Sequence, residues 1–417
     1  MFYTGSFFYP KWNKGGSEAT LSWDVSGYYM YLPAIFIYGD LKECKFQTEI
    51  GEKYSPTPHF EQARLYNHTT GRIMQYTYGQ AIAMAPFFFL AHIYNVCSQL
   101  YPSDGFSYPY QVCIGLGMFC YSLIALLFLR KILLQYFSDK TTGILLVFTL
   151  AGSPLLNYLS IDQAQANPFL FFLYTLIIYL SINFYASPSF YKCISLSILC
   201  GFATIIRPTD IICILIPLLW GVNNLTDFKH RVSFWISKIK WVLIAIIPFI
   251  LFAALQMSYW QYVLGEWVVY PYQNQGFSWL RPHFFSYFFS PKSGFLAYSP
   301  SMILAYIGLL YYVRNGRERW TILALIFISH YIIAAWDGVD YGWYSGRAMI
   351  QYFPLLAFPL ATLIEKSLQK TYTKIVFVLY FLFSVYFNIW WTYHIHKGNI
   401  GAMNLTKTEY LLNIGRW

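Results

Sequence analysis

Charged side chains are scarce in this chain. Only 11% of its 417 residues are Asp, Glu, Lys or Arg, and 57% are apolar, whereas an average soluble domain is about 25% charged. With a mean hydropathy of +0.42, the chain has too little polar surface to cover a water-soluble globule of this size. The composition therefore argues against an ordinary soluble domain and indicates a polytopic membrane protein.

The short motifs that mark several enzyme classes are also missing. The sequence contains no P-loop, no G-x-G-x-x-G, no H-E-x-x-H and no G-x-S-x-G, so nothing in it points to nucleotide-binding, zinc-protease or α/β-hydrolase chemistry. Its seven cysteines include no C-x-x-C pair, and all but Cys44 lie inside apolar runs. Neither a disulfide framework nor a zinc site is expected.

Long apolar runs rich in aromatic residues are abundant instead. Tyr, Phe and Trp make up 22% of the chain, and Tyr and Trp favour the bilayer interface. A membrane-spanning helix needs about 20 mainly apolar residues. Clear runs of this kind occur at about 110–129, 141–159, 168–186, 239–257, 295–313, 320–336, 347–365 and 373–393. Two shorter runs, 193–206 and 209–222, predict a helical hairpin with Arg207 at its turn.

Basic residues are distributed unequally between alternate loops. Fourteen lysines and arginines lie in loops 130–140, 187–192, 223–240, 314–319 and 366–374, whereas the short loops between them hold only Arg207. By the positive-inside rule, the first set faces the cytoplasm and the second faces outward. The inside loops hold only three acidic residues, and Glu365 at the adjoining helix end is the fourth acid on this side, so the predicted inside accounts for the whole net charge of +10. That charge is a topology signal, and no nucleic-acid partner is expected.

These patterns predict an all-α polytopic membrane protein with about 10–11 transmembrane helices. Residues 1–9 are apolar but too few to cross, so we interpret them as the remnant of a first span. They lack the charged region and cleavage site of a signal peptide. Residues 74–100 either cross the bilayer or form an interfacial or re-entrant helix within one outside loop, 10–109. We favour the second because polar residues interrupt the stretch.

The rest of the chain divides according to the same topology. Transmembrane helices are expected at 110–257 and 295–393, with an outside loop at 258–294 between them and an outside tail at 394–417.

Two acids stand out in the predicted outside loops. Asp24 lies among aromatic residues just after residues 1–9, where an acid at the bilayer surface is expected to have a raised pKa and to act as a general base. The alternative is an ordinary solvated acid. Asp162 lies in an otherwise uncharged outside loop, and its alternative role is to cap the next helix.

Three basic residues are candidate anion ligands. Arg207 either offers paired donors to a phosphate or carboxylate, or forms a local pair with Asp210. Arg347 opens a late helix, and a helix N-terminus with an Arg suits an anion. Lys292 precedes a span, where it either binds a phosphate or contacts lipid headgroups nonspecifically.

The turn before Arg347 is the densest polar cluster. Residues 336–346 contain two acids, three glycines and several aromatic residues, and glycine lets a backbone approach a ligand. The alternative is an interfacial aromatic turn. From this turn and from the Asp24 segment we select the candidate substrate contacts Tyr28, Asp337, Asp340 and Tyr344.

Several short motifs carry a family resemblance that covers most of the chain. They are Trp23-Asp24-Val25-Ser26-Gly27-Tyr28-Tyr29, Tyr31-Leu32-Pro33-Ala34, Tyr76-Thr77-Tyr78-Gly79-Gln80-Ala81, Ala85-Pro86, Arg207-Pro208-Thr209-Asp210 and Tyr344-Ser345-Gly346-Arg347. With an acid in the first outside loop and many spans joined by short loops, the pattern resembles the GT-C class of polytopic membrane glycosyltransferases. That class includes protein O-mannosyltransferases and lipid A aminoarabinose transferases.

The resemblance implies transfer of a sugar from a polyprenyl-phosphate carrier to a lipid, glycan or protein acceptor. The setting it implies is the outer face of a bacterial plasma (inner) membrane. The family's catalytic acid matches Asp24, and only Asp162 can serve as a second acid before the fourth span. Arg207, Arg347 and Lys292, in that order, are the candidates for the donor phosphate.

Other functions remain open at this point. No cofactor is expected, although a divalent cation is left open. The alternatives are a polytopic transporter or lipid flippase and a non-catalytic scaffold.

Overall fold

The structure is a computed structural model that describes residues 2–66, 71–272, 275–338, 346–401 and 405–415. These residues are mostly helical, which confirms an all-α polytopic membrane protein. The first part of the chain forms α1 Phe2–Phe8, α2 Trp23–Tyr29, α3 Tyr31–Phe36, α4 Phe46–Tyr54, α5 Gly79–Ser98, α6 Tyr108–Leu133, α7 Asp139–Ala151, α8 Leu155–Ser160, α9 Ala166–Ala186 and α10 Phe190–Ile206. The second part forms α11 Leu215–Leu219, α12 Leu225–Ser237, α13 Ile239–Leu264, α14 Phe284–Phe289, α15 Phe295–Tyr298, α16 Pro300–Asn315, α17 Arg319–Ala335, α18 Phe353–Gln369, α19 Thr371–His396 and α20 Lys407–Asn413.

Six helical segments in these ranges are long and apolar enough to cross a membrane. They are Gly79–Ser98, Tyr108–Leu133, Ala166–Ala186, Ile239–Leu264, Arg347–Gln369 and Thr371–His396. The fifth joins α18 to the 3₁₀ helix Arg347–Tyr352 that precedes it. Shorter apolar helices accompany them at Phe190–Ile206, Pro208–Leu219 and Arg319–Ala335.

Several predicted spans are divided, and proline is the common cause. The stretch 141–159 forms α7 and α8, with Pro154 at the break, and 295–313 is divided just before Pro300. The run after Arg207 begins as the 3₁₀ helix Pro208–Ile214. Proline has no N–H to donate and restricts the residue before it, so a continuous helix was the wrong expectation at these points.

The predicted first outside loop contains more structure than the sequence indicated. The stretch 74–100 forms the 20-residue helix α5, whose interfacial placement stays a prediction. Before it, β1 Ala63–Leu65 and β2 Arg72–Met74 pair antiparallel, with Ala63 opposite Met74. Helix α1 packs on α8, where the Ser6 hydroxyl donates to the Ser160 carbonyl at 2.5 Å.

The core consists of closely packed helices, and α16 with α18 is a clear example. Gly308 of α16 lies directly against the backbone of Pro359 in α18, and a Cβ at this position would overlap the Pro359 carbonyl oxygen. Small residues allow such close approach between helices in membranes.

We therefore expect Gly308→Ala to destabilise the protein by about 1–3 kcal/mol, the usual cost of overpacking. Thermal unfolding in detergent measures this as a lower Tm. Gly143→Ala is the matched control, because a Cβ at Gly143 in α7 meets nothing within 4 Å. An unchanged Tm in Gly308→Ala would contradict the packing described here.

Three of the five loops predicted to face the cytoplasm meet, with residues next to them, at one end of the bundle. Glu318 accepts hydrogen bonds from the Gly221 N–H and, at 3.4 Å, from the Tyr136 hydroxyl. Beside it, the Trp320 indole donates to the Asn223 carbonyl at 2.8 Å. The contacts join parts of three separate loops of the predicted inside set, so the predicted grouping agrees with the three-dimensional arrangement.

Candidate functional site

Two distant parts of the chain form an ion pair at the centre of the candidate site. Asp24 lies in the first turn of α2, and Arg347 begins the 3₁₀ helix Arg347–Tyr352. The Arg347 Nη2 atom lies 2.6 Å from the Asp24 Oδ2 atom. The side chains of Asp24 and Arg347 are 28% and 24% exposed, respectively, so the pair is partly sheltered but open on one side.

The pKa of Asp24 corrects one sequence expectation. Burial raises this pKa, but the Arg347 charge, the nearby Tyr76 hydroxyl and the Arg207 charge together bring it below its ordinary value. The expectation that the pKa of Asp24 is raised is therefore wrong in the free protein. Two guanidinium groups lie near the carboxylate in addition to the aromatic rings, and their positive charge favours its ionised form. Asp24 is a carboxylate at neutral pH and accepts hydrogen bonds only.

Arg207 supplies a second positive charge beside this pair. It follows α10, and its guanidinium makes no hydrogen bond or ion pair with another described residue. The guanidinium is close enough to Tyr28, Asp210, Tyr272 and Arg347 to interact with them electrostatically. Because it is partly exposed, it remains available to an anion from outside the chain.

The local pair of Arg207 with Asp210 that the sequence left open does not form within 4.0 Å in the described structure. Asp210 is fully buried, and its Oδ1 atom accepts hydrogen bonds from Tyr174 at 2.8 Å and Tyr352 at 3.2 Å. Gln351 approaches the same oxygen at 3.4 Å. These bonds connect the 3₁₀ helix that follows Arg207 with the one that begins at Arg347.

Aromatic rings form one wall of the site. Tyr28 and Tyr76 stack with ring centroids 4.1 Å apart, and Tyr272 meets Tyr76 edge-on at 6.3 Å. Burial raises the pKa of Tyr28 and Tyr76, so both hydroxyls stay protonated. A Cβ at Gly27 would lie 2.7 Å from the Tyr76 ring, so the glycine makes room for this stack.

Backbone contacts hold the two arginine segments in place. The Thr77 hydroxyl donates to the Ile206 carbonyl at 3.2 Å, just before Arg207. Gly346 has a φ of +49° and donates its N–H to the Ser293 carbonyl at 2.7 Å, just before Arg347. A Cβ at Gly346 would lie 2.8 Å from the Phe295 backbone, so both the conformation and the close approach favour glycine.

The second predicted acid lies in a neighbouring cluster. Asp162 is buried and pairs with Lys11 at 2.8 Å, and Asn157 donates to its other oxygen at 2.9 Å. Burial raises its pKa, but the charges of Lys11 and His396 and the hydrogen bonds from Lys11 and Asn157 lower it overall. The contacts given for Asp162 are those of a buried structural ion pair, and its catalytic role stays a prediction.

Lys292 and Asp337 lie in segments that border the site. Lys292 is exposed in the loop that packs against Gly346, and its backbone N–H donates to Ser290 at 3.2 Å. Asp337 accepts from the Ser278 hydroxyl at 2.6 Å and the Gly276 N–H at 3.2 Å, so it anchors the loop after Tyr272. Their predicted ligand contacts stay predictions. Asp340 and Tyr344 lie outside the described residues.

The structure adds participants that the sequence analysis did not select. Gln165 accepts from Arg347 at 3.4 Å, and Tyr76 and Tyr272 complete the aromatic wall. Lys11 is the partner of Asp162. Tyr76 lies in one of the motifs behind the family resemblance, so that motif was the available signal. The sequence carries no signal for Lys11, because a lysine that pairs with a distant acid cannot be distinguished in sequence from an unpaired surface lysine.

Among the described residues, no group of three or more His, Cys, Asp or Glu side chains lies together in a way that could hold a metal ion. No protein-family model and no curated protein sequence matches this chain.

Proposed function

We propose that the protein is a membrane glycosyltransferase that transfers a sugar from a polyprenyl-phosphate donor to a hydroxyl acceptor. The observation that carries this proposal is the Asp24–Arg347 ion pair beside the guanidinium of Arg207, which makes no hydrogen bond or ion pair with another described residue. A carboxylate that can take a proton thus faces two cations that can hold a phosphate. The setting in an all-helical membrane protein suits a substrate that resides in lipid.

The donor phosphate would bind between Arg207 and Arg347. The Arg207 guanidinium donates to no other described residue, and Arg347 can share its planar group between a phosphate and Asp24. Tyr28 and Tyr76 offer a flat apolar surface beside these cations for a sugar ring. The phosphate places the anomeric carbon near the carboxylate, which converts an encounter in solution into a positioned reaction.

The transfer then proceeds by a single displacement. The acceptor oxygen forms a bond to the anomeric carbon as its proton passes to the Asp24 carboxylate. The bond between the anomeric carbon and the phosphate oxygen breaks, and the polyprenyl phosphate leaves with the electron pair. The two arginines stabilise the growing charge on the leaving phosphate. One displacement inverts the configuration at the anomeric carbon, and Asp24 later releases its proton to water.

Charge clustering at one end of the bundle supports transfer over transport. Arg207 lies with Asp24 and Arg347, which belong to other loops of the same predicted face. Transporters usually place ionisable groups near the bilayer midplane on broken helices.

The direct test supplies the purified full chain in nanodiscs with radiolabelled polyprenyl-phosphate sugars, one at a time. Glycan, lipid and protein acceptors are each added to every donor. The proposal expects one donor to release polyprenyl phosphate and label an acceptor. If no donor is consumed while the protein moves a labelled polyprenyl-phosphate lipid between leaflets of a vesicle, the flippase alternative replaces it.

The pH dependence of transfer follows from the Asp24–Arg347 pair. Activity requires ionised Asp24, and its pKa in the free protein is lowered, so kcat/KM should fall only below the ordinary aspartate pKa of about 3.9. In the donor complex Arg347 is shared with phosphate, so the acid limb of kcat should lie at higher pH. Initial rates measured across a range of pH at limiting donor give the acid limb of kcat/KM, and those at saturating donor give the acid limb of kcat. An acid limb of kcat/KM above about pH 5 would contradict an ionised Asp24 held by arginine.

A further inference from the structure

An apolar groove opens on the lipid-facing side of the bundle, away from the candidate site. Its volume is about 220 Å³, and it lies between α10, α11, α13 and the 3₁₀ helix Pro208–Ile214. Its walls include Cys193 and Cys200 of α10 and Ala245 and Phe249 of α13. The Ser197 hydroxyl in the wall is already bonded to the Ala245 carbonyl. The groove therefore offers hydrocarbon surface to an apolar chain.

The wall formed by α13 faces lipid almost completely. Only 6% of its most apolar 18-residue stretch is buried inside the protein. Ile246 lines the groove and is 45% exposed. In a bilayer, lipid acyl chains would surround such a helix, so we expect the groove to be entered from the membrane.

Helix α12 borders one end of the groove. Its Trp235 lines the groove and donates to the Leu218 carbonyl at 3.4 Å. None of its described residues is buried. The exposed apolar side chains Leu225, Phe228, Val232 and Ile236 recur at helical spacing. Because α13 is long and apolar enough to cross a membrane and begins two residues after α12 ends, we expect this apolar face to lie in the interfacial region of the bilayer.

The turn between α12 and α13 supplies positive charge at the mouth of the groove. Lys238 lies four residues before Val242, which lines the groove, and its ammonium group sits over the Trp241 ring at 4.8 Å. Lys240 is exposed beside it. In residues 225–240, four lysines and arginines face one acid, Asp227. Basic clusters next to a membrane helix attract anionic headgroups.

We propose that this groove binds one anionic phospholipid, with an acyl chain along α10 and α13 and the headgroup at Lys238 and Lys240. Charge complementarity selects an anionic lipid, and the apolar walls select its hydrocarbon chain. The site is separate from the arginine pair that is proposed to hold the donor phosphate, so it does not depend on glycosyl transfer.

The test measures lipid binding by native mass spectrometry of the full chain, released from detergent with added phosphatidylglycerol or phosphatidylcholine. Phosphatidylglycerol should bind with one preferred site. The double variant Lys238→Ala/Lys240→Ala should weaken this site about 30-fold, since each lysine near an anionic surface contributes about 1 kcal/mol and 1.4 kcal/mol is tenfold. Lys370→Ala/Lys374→Ala removes the same charge in another loop of the predicted inside set and should leave binding unchanged.

A second variant tests the groove itself. Ile246→Trp narrows the groove at an exposed position and should reduce phosphatidylglycerol binding, with Tm and gel-filtration profile confirming that both variants fold. Equal binding of the two lipids, or loss of binding in the control pair alone, would overturn the proposal. Displacement of phosphatidylglycerol by undecaprenyl phosphate at equal concentration would identify a polyprenyl chain as the occupant and overturn it as well.

Discussion

Replacing Asp24 with Asn should lower the kcat for sugar transfer by about 10²–10⁴-fold, the usual contribution of a positioned proton acceptor. The amide keeps the shape of the side chain but cannot take the acceptor's proton. It also releases the Arg347 guanidinium, which lies 2.6 Å from the carboxylate. Donor binding should therefore be retained or become tighter, so the loss appears in kcat and not as a raised KM.

Glu52→Gln is the matched control, because Glu52 is an exposed acid in the same predicted outside loop. It should transfer sugar at the wild-type rate. Rates are measured with saturating acceptor over a range of donor concentrations. Wild-type turnover in Asp24→Asn would remove this residue from the mechanism, while donor consumption by the wild-type chain would still support the proposed activity.

Replacing Arg207 with Ala should lower kcat/KM by about 10²–10³-fold, which is typical for loss of one donor to a developing oxyanion. Arg207 makes no hydrogen bond or ion pair with another described residue, so its removal breaks no such contact within the described structure. The loss there is its electrostatic interaction with the buried Asp210, which keeps its hydrogen bonds from Tyr174 and Tyr352, so we expect the fold to be kept. Arg207→Lys should recover part of the activity, because a lysine restores the charge but not the paired donors.

Arg281→Ala serves as the control for charge alone, since Arg281 is an exposed arginine in the late loop of the same predicted face. Its kcat/KM should match that of the wild type. Binding of a non-transferable polyprenyl phosphate, followed by tryptophan fluorescence, separates affinity from chemistry. Equal donor affinity and equal kcat/KM in Arg207→Ala and the wild type would exclude Arg207 as a phosphate ligand.

The sequence predicted the grouping of site residues better than their contacts. The alternation of basic and uncharged loops assigned Asp24, Arg207 and Arg347 to one face of the membrane, and the structure brings these three residues together. The positive-inside pattern is a property of whole loops, so it survives errors in individual helix ends. Proline is the sequence signal for the helix breaks, as at Pro154, because it cannot donate a backbone hydrogen bond within a long apolar run.

The ion pairs between distant residues could not be predicted from a single sequence. Asp24 and Arg347 are 323 positions apart, and nothing local distinguishes this partner from the other arginines. The lowered pKa of Asp24 follows directly from that pairing, which is why the sequence indicated the opposite shift. Lys11 and Asp162 show the same limit, since their ion pair depends on how residues after α1 pack beside α8.

The hydrogen bonds to Asp210 have a consequence for ligand selectivity. Gln351 and Tyr352 tie the segment after Arg207 to the segment after Arg347 from inside the bundle, and Tyr174 of α9 holds the same carboxylate. The two segments that carry the arginines are thus held together before a ligand arrives, and less ordering entropy is lost when both side chains engage the same anion. Holding these segments together also limits the distance between the two arginines, which favours some anions over others. An anion of matching size contacts both arginines, whereas a smaller or larger anion contacts only one of them.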